Sequence, residues 1–147
     1  MSQIFTLTNA STENDVEEAV AAAVQAVVNG GLAVIPTDTS YALIADAFNE
    51  KAIELLRATK QQTSGVSIPI GAGSLATVEG IAKLPTLARD LVSAFWPGAL
   101  TMLTKPQPSV LLAVATAGDA IAVRVPNHPI ALAVIQGIGP VAMTGAQ

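Results

Sequence analysis

The sequence predicts an α/β fold, a twisted open mixed sheet with covering helices, and three observations lead there. Apolar residues make up 51% of the chain against 12% charged, a balance that supports a well-buried core and is far from that of disordered chains. Only 3% is aromatic, so the core is built from Ala, Val, Ile and Leu, as in a buried sheet packed by helices. Short apolar runs alternate with stretches whose apolar residues recur at helical spacing. With 147 residues, the chain reads as one domain spanning its whole length, since domains usually run to roughly 100–200 residues.

The elements follow in order. After Ser11, Asp15 and Glu18 have the spacing of an N-cap and N3 pair, and Val16, Val20, Ala23, Val24 and Val27 continue at helical intervals until Gly30 and Gly31. The acids at this helix start meet the positive end of its dipole and carry no chemistry. Leu32–Ile35, stopped by Pro36, is a buried strand that feeds the polar loop Thr37-Asp38-Thr39-Ser40. Tyr41–Ala45 resumes as strand. Asn49 caps a helix carrying Ala52, Ile53 and Leu56, with Lys60 near its negative end. Ser67–Ala72 predicts a strand, Pro85–Ala94 a helix, Leu100–Thr104 and Ile121–Val125 two strands, Pro129–Gln136 a helix and Val141–Thr144 a last strand. No crossover helix separates Leu100–Thr104 from Ile121–Val125, which makes the sheet mixed.

Charge and composition exclude several function classes. The formal charge of −4 comes from Glu13, Asp15, Glu17 and Glu18, ahead of the first base at Lys51; the remaining 7 acids and 7 bases cancel. A nucleic-acid binder displays many bases to displace phosphate counterions, so this thin supply implies that any RNA binding is weak. With no cysteine and a single histidine, His128, neither a thiolate nucleophile nor a multi-histidine metal site can form. The apolar stretch Val110–Thr116 is too short for a bilayer, which takes about 20 residues. A soluble, cytoplasmic protein without a membrane partner is expected.

Chemistry concentrates in a few places. The loop Pro36-Thr37-Asp38-Thr39-Ser40-Tyr41 gathers three hydroxyls, a carboxylate and a phenol at a strand end, where α/β proteins place ligands. The same side chains equally suit a self-bonded turn. Arg124 ends an otherwise apolar strand, so its guanidinium either meets a carboxylate or phosphate or snorkels to the surface. His128, between Asn127 and Pro129, reads as an N-cap or loop residue rather than a base. Gly71-Ala72-Gly73-Ser74 lacks the Gly-Lys-Ser/Thr of a P-loop, and no Rossmann glycine fingerprint or Gly-x-Ser-x-Gly elbow appears. Trp96-Pro97-Gly98 reads as an architectural turn anchored by the indole.

Taken in order, these segments resemble the YrdC/threonylcarbamoyl-AMP synthase family. Gly30-Gly31 and a strand lead into Pro36-Thr37-Asp38-Thr39-Ser40-Tyr41; Trp96-Pro97-Gly98-Ala99-Leu100-Thr101, Ala122-Val123-Arg124-Val125-Pro126-Asn127-His128-Pro129 and Pro140-Val141-Ala142 follow. The resemblance runs from Ala19 to the C-terminus and implies a YrdC-like sheet around a concave cavity. It implies an enzyme combining threonine, bicarbonate and ATP, with its Mg ion, into threonylcarbamoyl-AMP for tRNA modification; related members bind double-stranded RNA. By the same resemblance Thr39 holds the threonine substrate, Arg124 its carboxylate, and Lys60 the triphosphate.

Other family positions differ here. The Arg two after the family's lysine is Gln62, an Asn-Pro pair is Val66-Ser67, a threonine-holding His is Gly71, and a C-terminal Ser-x-Asn is Gly145-Ala146-Gln147. Tyr41-Ala42-Leu43-Ile44 replaces Tyr-Gly-Leu-Gly, with larger side chains expected to narrow the cavity. Each lost charged contact costs about 1.5–3 kcal/mol. The expectation is a YrdC-like domain, truncated at the C-terminus relative to longer relatives, that is weakened or non-catalytic; the alternative is an active synthase with compensating residues. A shortened chain would also leave a sheet edge through which two copies could pair.

Overall fold

The computed structural model describes residues 2–61, 67–108 and 120–146. Its helices are α1 (Glu13–Val28), α2 (Glu50–Lys60), α3 (Leu75–Ile81), α4 (Thr86–Phe95) and α5 (Pro129–Ile138), and its strands β1 (Ala33–Pro36), β2 (Tyr41–Asp46), β3 (Ile70–Gly71), β4 (Met102–Thr104), β5 (Ile121–Arg124) and β6 (Val141–Gly145). The strands form one sheet in the order β1-β2-β6-β3-β5-β4. Only β3 and β5 pair in parallel; the other neighbours are antiparallel. The mixed sheet expected from the missing crossover is therefore present, with β4 and β5 as antiparallel neighbours.

Local chemistry accounts for most element boundaries. The α1 start lies earlier than the Asp15–Glu18 spacing predicts: Thr12 is the N-cap, its hydroxyl accepting from the Asp15 amide at 3.1 Å while the Asp15 carboxylate accepts from the Thr12 amide at 2.9 Å. Asp15 serves as the reciprocal acid of a capping box rather than as the cap. Asn49 caps α2 as expected, its side chain accepting from the Ala52 amide at 3.1 Å. The predicted strand Ser67–Ala72 contracts to two residues. Pro69 has no amide to donate to a ladder, although its carbonyl still accepts from the Met143 amide at 2.9 Å. The sequence analysis missed α3, which Ser74 caps through the Thr77 amide; seven residues leave too few turns for a clear helical period. Val110–Thr116, Gln62 and Val66 lie outside the described residues.

Alternation along the strands divides the core between the two faces. On one, Leu43, Ala45, Ile70, Val123 and Ala142 pack with Ile53 and Leu56 of α2 and Val78 and Ile81 of α3. On the other, Ala42, Ile44, Val141 and Met143 pack with Val27 of α1 and Ala131, Val134 and Ile135 of α5. Each large aliphatic side chain so buried contributes about 1.5–3 kcal/mol. Ile44, expected to narrow the cavity, is fully buried in this second cluster. Its strand position turns it toward α1 and α5.

The Trp96 turn closes the β4–β5 end of the sheet. Its indole packs against the first cluster and donates to the Leu100 carbonyl at 2.7 Å, and the Gly98 amide donates to the Val125 carbonyl at 2.8 Å. A Cβ at Gly98 would lie 2.5 Å from the Phe95 carbonyl oxygen, a backbone contact that excludes any side chain there. Among the described residues no helix is long and apolar enough to cross a membrane.

Candidate functional site

Pairing of Pro36 with Tyr41 makes Thr37–Ser40 the four-residue loop of a β-hairpin. Thr37 organises it: its hydroxyl accepts from the Thr39 and Ser40 amides, both at 3.2 Å, and donates to the Ser40 carbonyl, whose oxygen also takes the Thr37 amide at 3.0 Å. The Thr39 hydroxyl also meets the Thr37 hydroxyl at 3.2 Å, so Thr37 holds Thr39 in place as well as the backbone of the turn. The self-bonded turn read from the sequence is present, with Thr37 at its centre.

Arg124 meets that loop. It ends β5 three strands from β2, about 14 Å across the sheet at ordinary strand spacing. Its Nη1 donates to Thr39 Oγ1 at 3.0 Å and its Nη2 pairs with Asp38 Oδ1. The residue is 9% exposed, so it does not snorkel to the surface. Its Nε–H is buried without a partner among the described residues, an unusual state for a group whose desolvation is costly.

A cleft of about 120 Å³ lies between the loop and the strands, lined by Thr37, Thr39, Ser40, Ala42, Pro69, Thr101, Arg124, Met143, Thr144 and Gly145. This is well below the roughly 300–1,000 Å³ of drug-sized sites and suits a small polar ligand. Five hydroxyl side chains and one guanidinium in the lining can hydrogen-bond a carboxylate together with a hydroxyl. Thr39 and Arg124, both singled out in the sequence, are thus brought to one site. Lys60 also reaches it, its Nζ donating to the carbonyl of Gly145, a lining residue, at 2.6 Å.

Other candidates lie elsewhere. His128 caps α5, its Nδ1 accepting from the Ile130 amide at 3.2 Å. Gly71 is buried in β3, where an added Cβ would meet the Sδ and Cε of Met143, both at 3.1 Å, and Ile135 Cδ1 at 3.4 Å. A side chain at this position would enter the second core cluster and push on a wall of the cleft. Sequence reasoning placed Thr37 in the polar loop but did not identify Asp38 as the partner of Arg124, nor Met143 and Thr144 as lining residues. For Asp38 the signal was the crowding of polar side chains in 37–40; Met143 and Thr144 carried none, since they meet the loop only through strand order.

Comparisons with known proteins follow the same lines. The Sua5/YciO/YrdC family model, described as telomere recombination, matches residues 25–147. A putative threonylcarbamoyl-AMP synthase of Mycobacterium tuberculosis is 36% identical over 128 residues, covering 86% of this chain and 59% of the relative. The threonylcarbamoyl-AMP synthase of Bacillus subtilis is 33% identical over 143 residues, 95% of this chain and 41% of the relative. The chain therefore spans about three-fifths or less of the length of these curated relatives. Among solved structures, P. abyssi Sua5 complexed with L-threonine superposes with a TM-score of 0.79 at 30% identity, over 90% of this chain and 38% of that one. E. coli YciO gives 0.78 at 26% identity, over 87% and 63%.

Proposed function

This chain belongs to the Sua5/YciO/YrdC family, and from that premise we propose that its cleft binds L-threonine by the carboxylate at Arg124, within a threonylcarbamoyl-AMP synthase domain of weakened or absent catalytic output. The observation that carries the reading is the buried Arg124, anchored by Thr39 and Asp38 on the wall of a small hydroxyl-lined cleft. The L-threonine complex of the Sua5 structure that this chain resembles supports the choice of ligand.

In the reaction of the family, the threonine amine condenses with bicarbonate, with loss of water, to a carbamate, whose oxygen attacks the α-phosphate of ATP with loss of pyrophosphate. What a protein contributes to such a step is mainly positioning and charge stabilisation. Arg124 and Thr39 would orient the amino acid, and Lys60 would leave the Gly145 carbonyl to meet the triphosphate. Mg²⁺ would arrive with the phosphates of ATP, as it commonly does. The weakened output rests on Gln62 and Gly145-Ala146-Gln147, which replace a base and two polar side chains of the family pattern. Binding of RNA is expected to be weak for want of bases, and the setting to be cytoplasmic.

Calorimetric titration with L-threonine, paired with an assay of pyrophosphate release from ATP, threonine and bicarbonate, tests the proposal. Saturable threonine binding that Arg124→Ala abolishes, with slow or no pyrophosphate release, is the expected result. A folded chain that takes up no threonine at millimolar concentration overturns the binding site. Rapid release dependent on both threonine and bicarbonate would instead establish an active synthase.

A further inference from the structure

Arg124 is the only charged side chain among the described residues lining the cleft, and its charge is answered from outside that lining. Asp38 is not a lining residue, yet its Oδ1 meets Arg124 Nη2, the two side chains being 19% and 11% exposed. Thr39 Oγ1 takes the other terminal nitrogen, and Thr37 pins the turn that presents both residues. Lys60 meets the same wall at the Gly145 carbonyl.

We propose that Asp38 is a positioning and specificity-determining residue, which acts through Arg124 so that the cleft accepts the single carboxylate of an amino acid and refuses multiply charged phosphate. The inference rests on the amino-acid site proposed above and adds the residue that separates carboxylate from phosphate. A guanidinium already paired with a carboxylate offers oriented N–H donors but little net charge. Oriented donors are enough for a singly charged carboxylate. A phosphate dianion gains chiefly from net positive potential, and beside Asp38 it meets a like charge instead. Each terminal nitrogen bears two N–H groups and directs one of them to Thr39 or Asp38, so the two residues do not exhaust the donors of the guanidinium. Such discrimination suits an amino-acid site whose co-substrate carries phosphates.

The test is calorimetric titration of the full chain, and of its Asp38→Asn and Asp38→Glu variants, with L-threonine and with inorganic phosphate. Asp38→Asn should weaken L-threonine about tenfold and tighten phosphate about tenfold, the size of one charge-assisted contact in each case. Asp38→Glu should restore the original order of preference. A purely structural role for Asp38 would weaken both ligands together and leave their ratio unchanged. Should Asp38→Asn fail to fold, Asp38→Ser provides the same ratio. An unchanged threonine-to-phosphate ratio overturns this inference while leaving the Arg124 site in place. Absence of threonine binding by the unsubstituted chain overturns both.

Discussion

Arg124 Nη1 donates to Thr39 Oγ1 at 3.0 Å across 85 residues of sequence. That bond ties the end of a central strand to a hairpin loop at one edge of the sheet, and the cleft exists beneath the tie. Between them, β6 contributes Met143 and Thr144 to its lining, and Pro69 lies just before β3. A planar guanidinium can bond Thr39 and Asp38 at once because its terminal nitrogens diverge in a fixed plane.

Replacing Arg124 with Lys keeps the charge and loses that fork. Arg124→Lys should lower affinity for L-threonine tenfold or more, by calorimetry. It should also cost about 1–3 kcal/mol of stability in urea unfolding, since Asp38 or Thr39 loses its partner.

The close contact at Gly71 makes a second expectation. Gly71→Ala brings a Cβ to 3.1 Å from the Met143 thioether, and the resulting overpacking should cost about 1–3 kcal/mol. Gly71→His, which restores the residue type of the family pattern, should destabilise further and bring no gain in threonine binding, because the side chain starts toward Met143 and Ile135. Improved threonine affinity in that variant would show that the core yields to make room.

Removal of the α1 capping box should be felt as stability alone. Thr12→Ala loses the hydroxyl that accepts from the Asp15 amide, at a cost of about 0.5–2 kcal/mol. Thermal melting should fall by about 2–4 °C for each kcal/mol in a chain of this size, with threonine affinity unchanged.

Trp96→Phe keeps most of the apolar ring but removes the N–H that the Leu100 carbonyl accepts at 2.7 Å. The orphaned carbonyl should cost about 1–3 kcal/mol. Thr101, next in sequence, lines the cleft, so threonine affinity measured on the same sample should weaken several-fold as the turn loosens.

Legibility in the sequence followed the range of the forces involved. Asn49 before α2 and His128-Pro129 at α5 announced helix starts because capping is settled within three or four residues. The cap of α1 was misplaced for the same reason: Thr12 with Asp15 at N3 and Asp15 with Glu18 at N3 both fit the local rule. Pro36 was read as stopping the strand at Ile35, whereas it is the last residue of β1 and pairs with Tyr41, a strand-end position that proline tolerates. The shortening of β3 and the brief α3 were harder, since a two-residue strand and a seven-residue helix carry almost no period. Within the site, Thr39 and Arg124 were singled out by residue type and surroundings, whereas Asp38 was read only as a polar loop residue.

By itself the sequence determined where strands and helices alternate, which loop carries hydroxyls, and that one arginine ends an apolar strand. Periodicity, proline and caps act over a few residues, so these features can be read along the chain. Only the tertiary structure decided that β6 and β3 lie between β2 and β5, and hence that Asp38 faces a guanidinium 86 residues away. Strand order depends on which distant apolar faces bury one another, a property of the whole core rather than of any segment. The pairing of Arg124 with Asp38 at the cleft is a consequence of that order.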